Sequence, residues 1–586
     1  MPSLSISMSI RGQLLSGTFS PIKLKDGSSA FAWYDPSDLT TLFQDSAGTT
    51  PVTSPSQPVG LMLDKSQGLT LGPELVTNGD FSNGTTGWSS ANNGILTVTS
   101  GVLTVTNNVT SFGGASQSFT TVVGATYKIM LDFIKGTASG CAINIGTTIG
   151  SGGIAQILAT SSGSISGYFK ATSTTTFVSL LNNTTTNGAN SSFDNISVRE
   201  LPGYHATQST TGNRPIYAVM PKTGVRNLLT YTEQFDNAAW AKTGTTVSAN
   251  TAIAPDGTAT ADVLSTTATT AIFVVGQNLT LGANTCSIFA KAGTSSFLQL
   301  TYNGDTTSFA NFNLSSGETG ASGGTVIHSI IPVGNGWYRC SVYNSSISVT
   351  GITWGIVPSV STTRRQTFTA TGAENLYIWG AQLETGSTST AYQKVVSKYE
   401  VTEAGVPTLP YLSFNGATSS MVTSTITPNA DKVQVFAGVR KLSDAAQGVI
   451  TELSTTVANA GSFYFSAPAL AREASYGFTS NGTLLPGQIK ATIFASPITN
   501  VVSAFGDILA NLRTIRVNSS QAAQSTESQG TGNYLSYPLY IGARAGTSQF
   551  FNGNLYGLIV RFATANLDAS VITSTENWMN TKTGAY

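Results

Sequence analysis

An all-β fold, built as several antiparallel β-sandwiches with one short C-terminal helix, is what this sequence predicts. Three observations carry that expectation. Apolar and polar residues alternate at period two along most of the chain, and Gly, Asn and Ser punctuate the runs, which is the pattern of half-buried strands joined by turns. Charged residues make up 10% of the chain and hydrophobic residues 40%. The surface is therefore mostly hydroxyl and amide, and Thr favours strands while Gly and Asn favour turns. Lastly, the chain states one opening twice. Leu75-Val76-Thr77 leads to Phe81-Ser82-Asn83 and Trp88, and Leu228-Leu229-Thr230 leads to Phe235-Asp236-Asn237 and Trp240. Repetition on that scale means a module used twice, in a string of binding or structural domains rather than one catalytic core.

The length of 586 residues suffices for roughly three to four ordinary domains. With 28 basic and 28 acidic residues the net charge is zero, so no field gathers phosphate and nucleic acid is not an expected partner. Cys141, Cys286 and Cys340 stand far apart, as neither a disulfide framework nor a zinc signature. Cys286 and Cys340 are expected to be reduced, buried thiols. Residues 1–17 have neither a charged n-region nor a long apolar run, so no signal peptide is expected. No stretch of about 18 apolar residues exists to span a membrane.

Taken in order, residues 1–27 read as an arm. Leu4, Ile6 and Met8 interleave with Ser3, Ser5 and Ser7, and Arg11, Lys23 and Lys25 give the basic relief from that character. Such a strand adds to a neighbouring subunit's sheet, a reading favoured over a disordered terminus. Leu96 and Val98, then Leu103 and Val105, flank a Ser100-Gly101 turn and predict a hairpin. From Tyr127 to Phe133 the odd positions are apolar, with Lys128 and Asp132 on the other face. Ala310, Phe312 and Leu314 alternate with Asn311 and Asn313. Val433, Val435, Ala437 and Val439 predict a strand with Lys432 and Gln434 outward. Near the end Asp568 caps a helix that carries Leu567, Val571, Ile572, Thr575, Trp578 and Met579 on one face, with Gly584 after the stop. That helix is expected at a sandwich edge, covering exposed strand backbone. Proline-containing segments at 50–58, 201–215 and 406–410 are joints or loops.

Four segments resemble known families. Residues from about 73 to 201, with Asn78-Gly79-Asp80-Phe81, Trp88 and Phe193-Asp194-Asn195-Ile196-Ser197-Val198, look like a carbohydrate-binding-module jelly roll. Residues from about 225 to 395, with Asn227-Leu228-Leu229, Gly336-Trp337-Tyr338-Arg339 and Trp379-Gly380-Ala381-Gln382-Leu383-Glu384, resemble a second, in phrasing common in tailed-phage structural proteins. The remainder, from Tyr411-Leu412-Ser413-Phe414-Asn415-Gly416 to the terminal strand Gly553–Val560, is similar to a concanavalin- or laminin-G-like sandwich. Trp33-Tyr34-Asp35-Pro36 followed by Leu61-Met62-Leu63-Asp64-Lys65-Ser66 looks like the lead-in of phage lectin-like sandwiches. In such lead-ins the Asp-Lys-Ser phrase runs directly into a His-Ala-Thr-Gln phrase, which arrives here only at His205-Ala206-Thr207-Gln208. The first jelly roll is therefore expected as an insertion in a loop, which requires Ser66 and Gly203 to lie close together. Long surface insertions cost little closure entropy. The expected division is an arm over 1–27, lead-in at 28–72, inserted jelly roll at 73–202, lead-in resumed at 203–224, second jelly roll at 225–396 and lectin-like sandwich at 397–586.

These resemblances imply a non-enzymatic structural protein of a bacteriophage particle, made in the host cytoplasm and released by lysis. They imply a tail-fibre or spike adhesin that binds host surface glycan, joins other virion proteins through its arm, and forms a homo-oligomer such as a trimer. The alternatives are a capsid or tail decoration protein and a polysaccharide depolymerase. Catalytic chemistry finds little support. The chain has only His205 and His328 to serve a Ser-His-Asp arrangement. Gly320-Ala321-Ser322-Gly323-Gly324 matches a nucleophile elbow by letters but reads as a hairpin loop, with a strand rather than a helix after it. Glycoside hydrolysis needs two carboxylates about 5 to 10 Å apart, and Glu400 and Glu403 read as part of a linker. The jelly-roll resemblance implies a structural calcium near Asp80 and Asp194, although Ser82 stands where an acid is usual and calcium asks for six or more oxygen ligands. Trp88, Trp240, Trp337 and Trp379 read as core rings. Tyr204 and His205 are either exposed or structural joints. No catalytic, metal or ligand-binding residue is assigned from the sequence.

Overall fold

The computed structural model describes residues 19–25, 30–345 and 349–586. Strand accounts for 49% of the chain and helix for 4%, and the sheets are antiparallel sandwiches, so the fold is all-β. Two compact units form: one from residues up to 53, Gln57–Ile216 and Tyr411–Tyr586, the other from Ser54–Ser56 and Tyr217–Pro410.

The first unit holds two sandwiches. In one, five strands run in the spatial order Ala155–Ala159, Cys141–Gly146, Thr175–Asn182, Gly114–Thr120 and Ser89–Ala91. They face a sheet ordered Gly163–Lys170, Thr126–Lys135, Asn190–Glu200, Val102–Asn107 and Gly94–Thr99. The Ser100-Gly101 hairpin forms as expected, with Thr99 opposite Val102. Tyr127, Ile129, Leu131 and Phe133 are buried while Lys128 and Asp132 are not.

The second unit repeats that plan. One sheet runs Phe309–Asn313, Phe297–Asn303, Val349–Ile356, Phe273–Leu281 and Ala241–Thr243. The other runs Trp337–Asn344, Asn284–Ala292, Asn375–Thr385, Ala261–Thr266 and Thr245–Ala252. All ten strands match those of the first module in both spatial and chain order. Glu318–Gly323 and Val326–Gly334 add one strand to each sheet. The duplication extends to side chains. Gln117 clamps the Thr77 backbone, accepting from its N–H at 2.7 Å and donating to its carbonyl at 2.9 Å. Gln277 grips Thr230 in the same way, at 3.4 and 2.6 Å. Phe81 and Trp88 lie 5.5 Å apart, and Phe235 and Trp240 4.8 Å. Asn190 and Asn375 each receive a backbone N–H from the threonine of a Gly-Thr pair, Thr137 and Thr294, and each donates its own N–H to that threonine's hydroxyl.

The other sandwich of the first unit is the C-terminal one, and the lead-in is part of it. Phe31–Tyr34 pairs with Asn552–Ala563. Leu42–Phe43, Leu61–Met62 and Ala206–Thr207 continue a nine-stranded sheet through Met421–Ile426. Ser66 and Gly203 approach as required, because one buried carboxylate joins their segments. Asp64 Oδ1 accepts from Trp33 N–H (2.8 Å) and Ser66 N–H (2.9 Å), and Oδ2 accepts from Ser66 Oγ and Tyr204 N–H (both 2.8 Å). Asp64 N–H donates to His205 Nδ1 at 2.9 Å, and His205 Nε2 faces the Leu201 carbonyl at 3.0 Å. Tyr204 and His205 are thus a structural joint.

Several expectations change. Helix α1, Ala569–Thr583, lies on a sheet face rather than an edge, against Lys432–Lys441, Ile498–Asp507 and Asn552–Ala563. Glycine makes room for it: a Cβ on Gly438 would come within 2.5 Å of Thr583 and 3.0 Å of Met579. Asp568 precedes the helix without a side-chain cap, its carbonyl accepting instead from Val571 and Ile572 N–H. Under this cover Gln434 is buried, accepting from the Arg561 guanidinium, and not outward. Asn311 is likewise buried, donating to the Val360 and Thr362 carbonyls. Gly320–Gly323 lies in the strand Glu318–Gly323 and is not a loop. Glu400–Glu403 is a strand and not a linker. Of the arm, residues 1–18 and 26–27 lie outside the described residues. Leu24 packs with Phe31, Trp33 and Met579 of its own chain.

Candidate functional site

The two modules can be compared position by position, and they diverge sharply at one place. In the first, Asp132 and Asp194 face each other across neighbouring strands. In the second the facing pair is Phe289 and Trp379. A residue in the left-handed region follows each time, Asn195 at φ 54° and Gly380 at φ 62°, and a bulge breaks the ladder there. Gly380 is needed: a Cβ would lie 2.9 Å from the Phe289 ring. Two acids of one copy are thus two aromatic rings in the other.

Those rings line a cleft of ≈ 520 Å³ within the second unit, inside the range of about 300–1,000 Å³ usual for small-ligand sites. Phe289, Trp379 and Tyr392 form its aromatic wall, with centroids 4.8 to 5.9 Å apart. Trp379 Nε1 donates to Thr260 Oγ1 at 2.9 Å, and the Arg339 guanidinium covers one Phe289 face at 5.3 Å. Glu233, Asp256, Lys394 and Glu403 supply the charged lining, and Thr402 lies beside them. Lys394 bonds Glu233 at 2.7 Å, and the Tyr392 hydroxyl donates to Glu233 at 3.1 Å. Glu403 accepts from Arg226 (2.9 Å), Gln393 (3.0 Å) and Thr223. Despite some desolvation, these bonds hold its carboxyl down at about 2. A smaller recess of ≈ 70 Å³ shares Glu233 and Lys394. The first unit has a groove of ≈ 580 Å³, but Tyr204 is the only ring among its lining residues.

Glu233 and Glu403 share the cleft, yet they make a poor acid–base pair. A general acid needs a raised pKa, whereas Glu403 is held ionised and both side chains are engaged by cations and hydroxyls. In the second unit a raised carboxyl is Asp262, fully buried, which accepts from Phe235 N–H (2.8 Å) and Asn250 N–H (2.9 Å). Burial pushes it up to about 6, and it is not among the residues lining the cleft or the recess. Its protonated form is favoured by folding, so its contribution to stability is full below 3.8 and is lost as pH rises through about 6. Carboxyl-carbon NMR titration is expected to find this midpoint near 6; a midpoint near 4 would contradict it.

Trp88, Trp240, Trp337 and Trp379 are all buried. His328 packs edge-on to Phe312, and its Nδ1 is buried without a hydrogen-bond partner. Asp80 bonds Ser82 and Asp194 bonds Asn195 N–H. Among the described residues no three His, Cys, Asp or Glu side chains gather as a metal site. Cys141, Cys286 and Cys340 are free and buried, and burial pushes the Cys141 thiol up to about 12. The sequence reading missed Glu233, Asp256, Tyr392 and Lys394 as a group. Their one sequence signal is that Tyr392 and Lys394 follow closely on the Trp379–Glu384 phrase.

No protein-family model matches the chain, and no curated protein matches it. Among solved structures it is similar to the CBM22-1–CBM22-2 tandem domain of Paenibacillus barcinonensis Xyn10C, at 14% identity over 54% of this chain and 98% of that chain, TM-score 0.19. It is also similar to a putative carbohydrate binding protein from Bacteroides ovatus, at 10% identity over 53% and 78%, TM-score 0.22. A third is the Ruminococcus gnavus IT-sialidase CBM40 bound to α2,3-sialyllactose, at 13% identity over 25% and 83%, TM-score 0.21. Likeness at this level does not say what this chain binds.

Proposed function

We propose that this chain is a non-enzymatic glycan-binding protein and that the second module's cleft is its binding site. The observation that carries the reading is the exchange of Asp132 and Asp194 in one copy for Phe289 and Trp379 in the other, beside a half-buried Tyr392. Apolar ring surface next to carboxylates suits a pyranose, which offers a C–H face and a fringe of hydroxyl donors. We further propose, from the resemblance of its phrases, a tail-fibre or spike adhesin on a tailed-phage particle. Several copies per particle would turn weak sites into avidity through effective concentration.

Purified protein on a glycan array is expected to bind at high glycan density, and Tyr392→Ala to weaken binding about tenfold, the order of one lost aromatic contact. Absence of binding at high density would favour the decoration reading. New reducing ends on added polysaccharide would establish a depolymerase instead.

A further inference from the structure

We infer that the cleft discriminates by charge, accepting neutral and amine-bearing sugars and rejecting acidic ones; this deepens the glycan-binding reading and rests on it. Its charged lining is three carboxylates, Glu233, Asp256 and Glu403, against one ammonium, Lys394, with Thr402 beside them; counting Arg226, which pairs with Glu403, the local charge is −1. The one cation is already taken, since Lys394 pairs with Glu233 at 2.7 Å. Arg226 neutralises Glu403 but is not among the lining residues. Asp256 has no cationic partner among the described ion pairs. Its Oδ1 accepts from Thr258 N–H and Oγ1 at 2.9 and 2.7 Å, which leaves Oδ2 to accept from a ligand.

The cleft therefore offers mainly carboxylate acceptors, with the Thr402 hydroxyl and the remaining Lys394 N–H groups as donors. Sugar hydroxyls donate to carboxylates, and a protonated amine does so with added charge attraction. A uronate or sialate carboxylate brings acceptors to acceptors. It would also enter beside an apolar wall, where like-charge repulsion is poorly screened. Phe289 and Trp379 are buried and Tyr392 is half-buried, so Tyr392 presents most of the open ring surface, which suits one or two sugar rings rather than a long chain.

The test is calorimetric titration of the full chain with cellotetraose, a glucosamine tetramer and tetragalacturonate, repeated with Asp256→Lys. Asp256 is exposed in a turn, so the variant is expected to fold. The expected order is glucosamine tetramer at or above cellotetraose, with tetragalacturonate weaker roughly tenfold or more. Asp256→Lys is expected to narrow that gap several-fold, and so is high salt. Tetragalacturonate binding as tightly as cellotetraose, or an Asp256→Lys ratio unchanged from the parent, overturns the charge selection and leaves glycan binding standing. No binding of any of the three, together with a blank glycan array, overturns the glycan reading and this inference with it.

Discussion

Asp64→Ala is expected to destabilise the first unit by at least about 3 kcal/mol, since three backbone donors lose their acceptor and each costs about 1–3 kcal/mol. Asp64 is fully buried and its carboxylate accepts four hydrogen bonds, three from backbone N–H groups of Trp33, Ser66 and Tyr204. These come from segments that the whole first module separates in sequence, so the carboxylate ties the module's two connections to the C-terminal sandwich. Hydrogen exchange is the direct measurement. Protection at Trp33, Ser66 and Tyr204 is expected to fall together, and protection unchanged in the variant would refute the role. His205 adds a pH dependence to the same joint. Its Nδ1 accepts from Asp64 N–H, so the neutral ring with Nε2–H toward Leu201 fits the site, and burial lowers its pKa from 6.5. Below 6.5 the unfolded chain takes up the proton first, so this contribution to stability is full above 6.5 and falls as pH drops. Asp262 in the second unit works in the opposite sense.

Trp240→Ala is expected to cost the second unit about 3–5 kcal/mol, the usual range for emptying a buried tryptophan site. Trp240 is 2% exposed, lies 5.2 Å from Trp354 and 4.8 Å from Phe235, and donates from Nε1 to the Tyr231 carbonyl at 2.9 Å. The loss therefore combines a cavity among rings with an orphaned carbonyl. For a domain of this size the transition is expected to fall on the order of 10 °C in calorimetry. Trp88→Ala is expected to act alike in the first module, where Trp88 Nε1 donates to the Asn78 carbonyl at 3.2 Å. A shift of only a degree or two at either position would show that these rings do not hold their modules' cores.

The repeated opening was legible because its residues do the same work at both sites: a threonine gripped by a strand glutamine, and a phenylalanine and tryptophan filling the core. The Ser66–Gly203 approach was legible too, because a phrase interrupted in sequence must close in space. Gln434 and Asn311 were misjudged for one reason. Period two tells which residues share a face, but not whether that face meets water, and here a helix and a loop cover it. Glu403 was misjudged because its strand is short and its partners, Arg226 and Gln393, make it structural.

Local sequence by itself determined most of the strands and turns and the helix limits, since these depend on steric preference and spacing within a few residues, and its repeated opening showed the duplication; the strands Glu318–Gly323 and Glu400–Glu403 escaped it. Tertiary structure alone decided which faces are covered, which groups, Asp64 and His205, hold the approaching lead-in segments together, and that Glu233, Asp256, Trp379 and Tyr392 share one cleft. Such groupings arise from how sheets close on one another, and spacing along the chain carries no record of it.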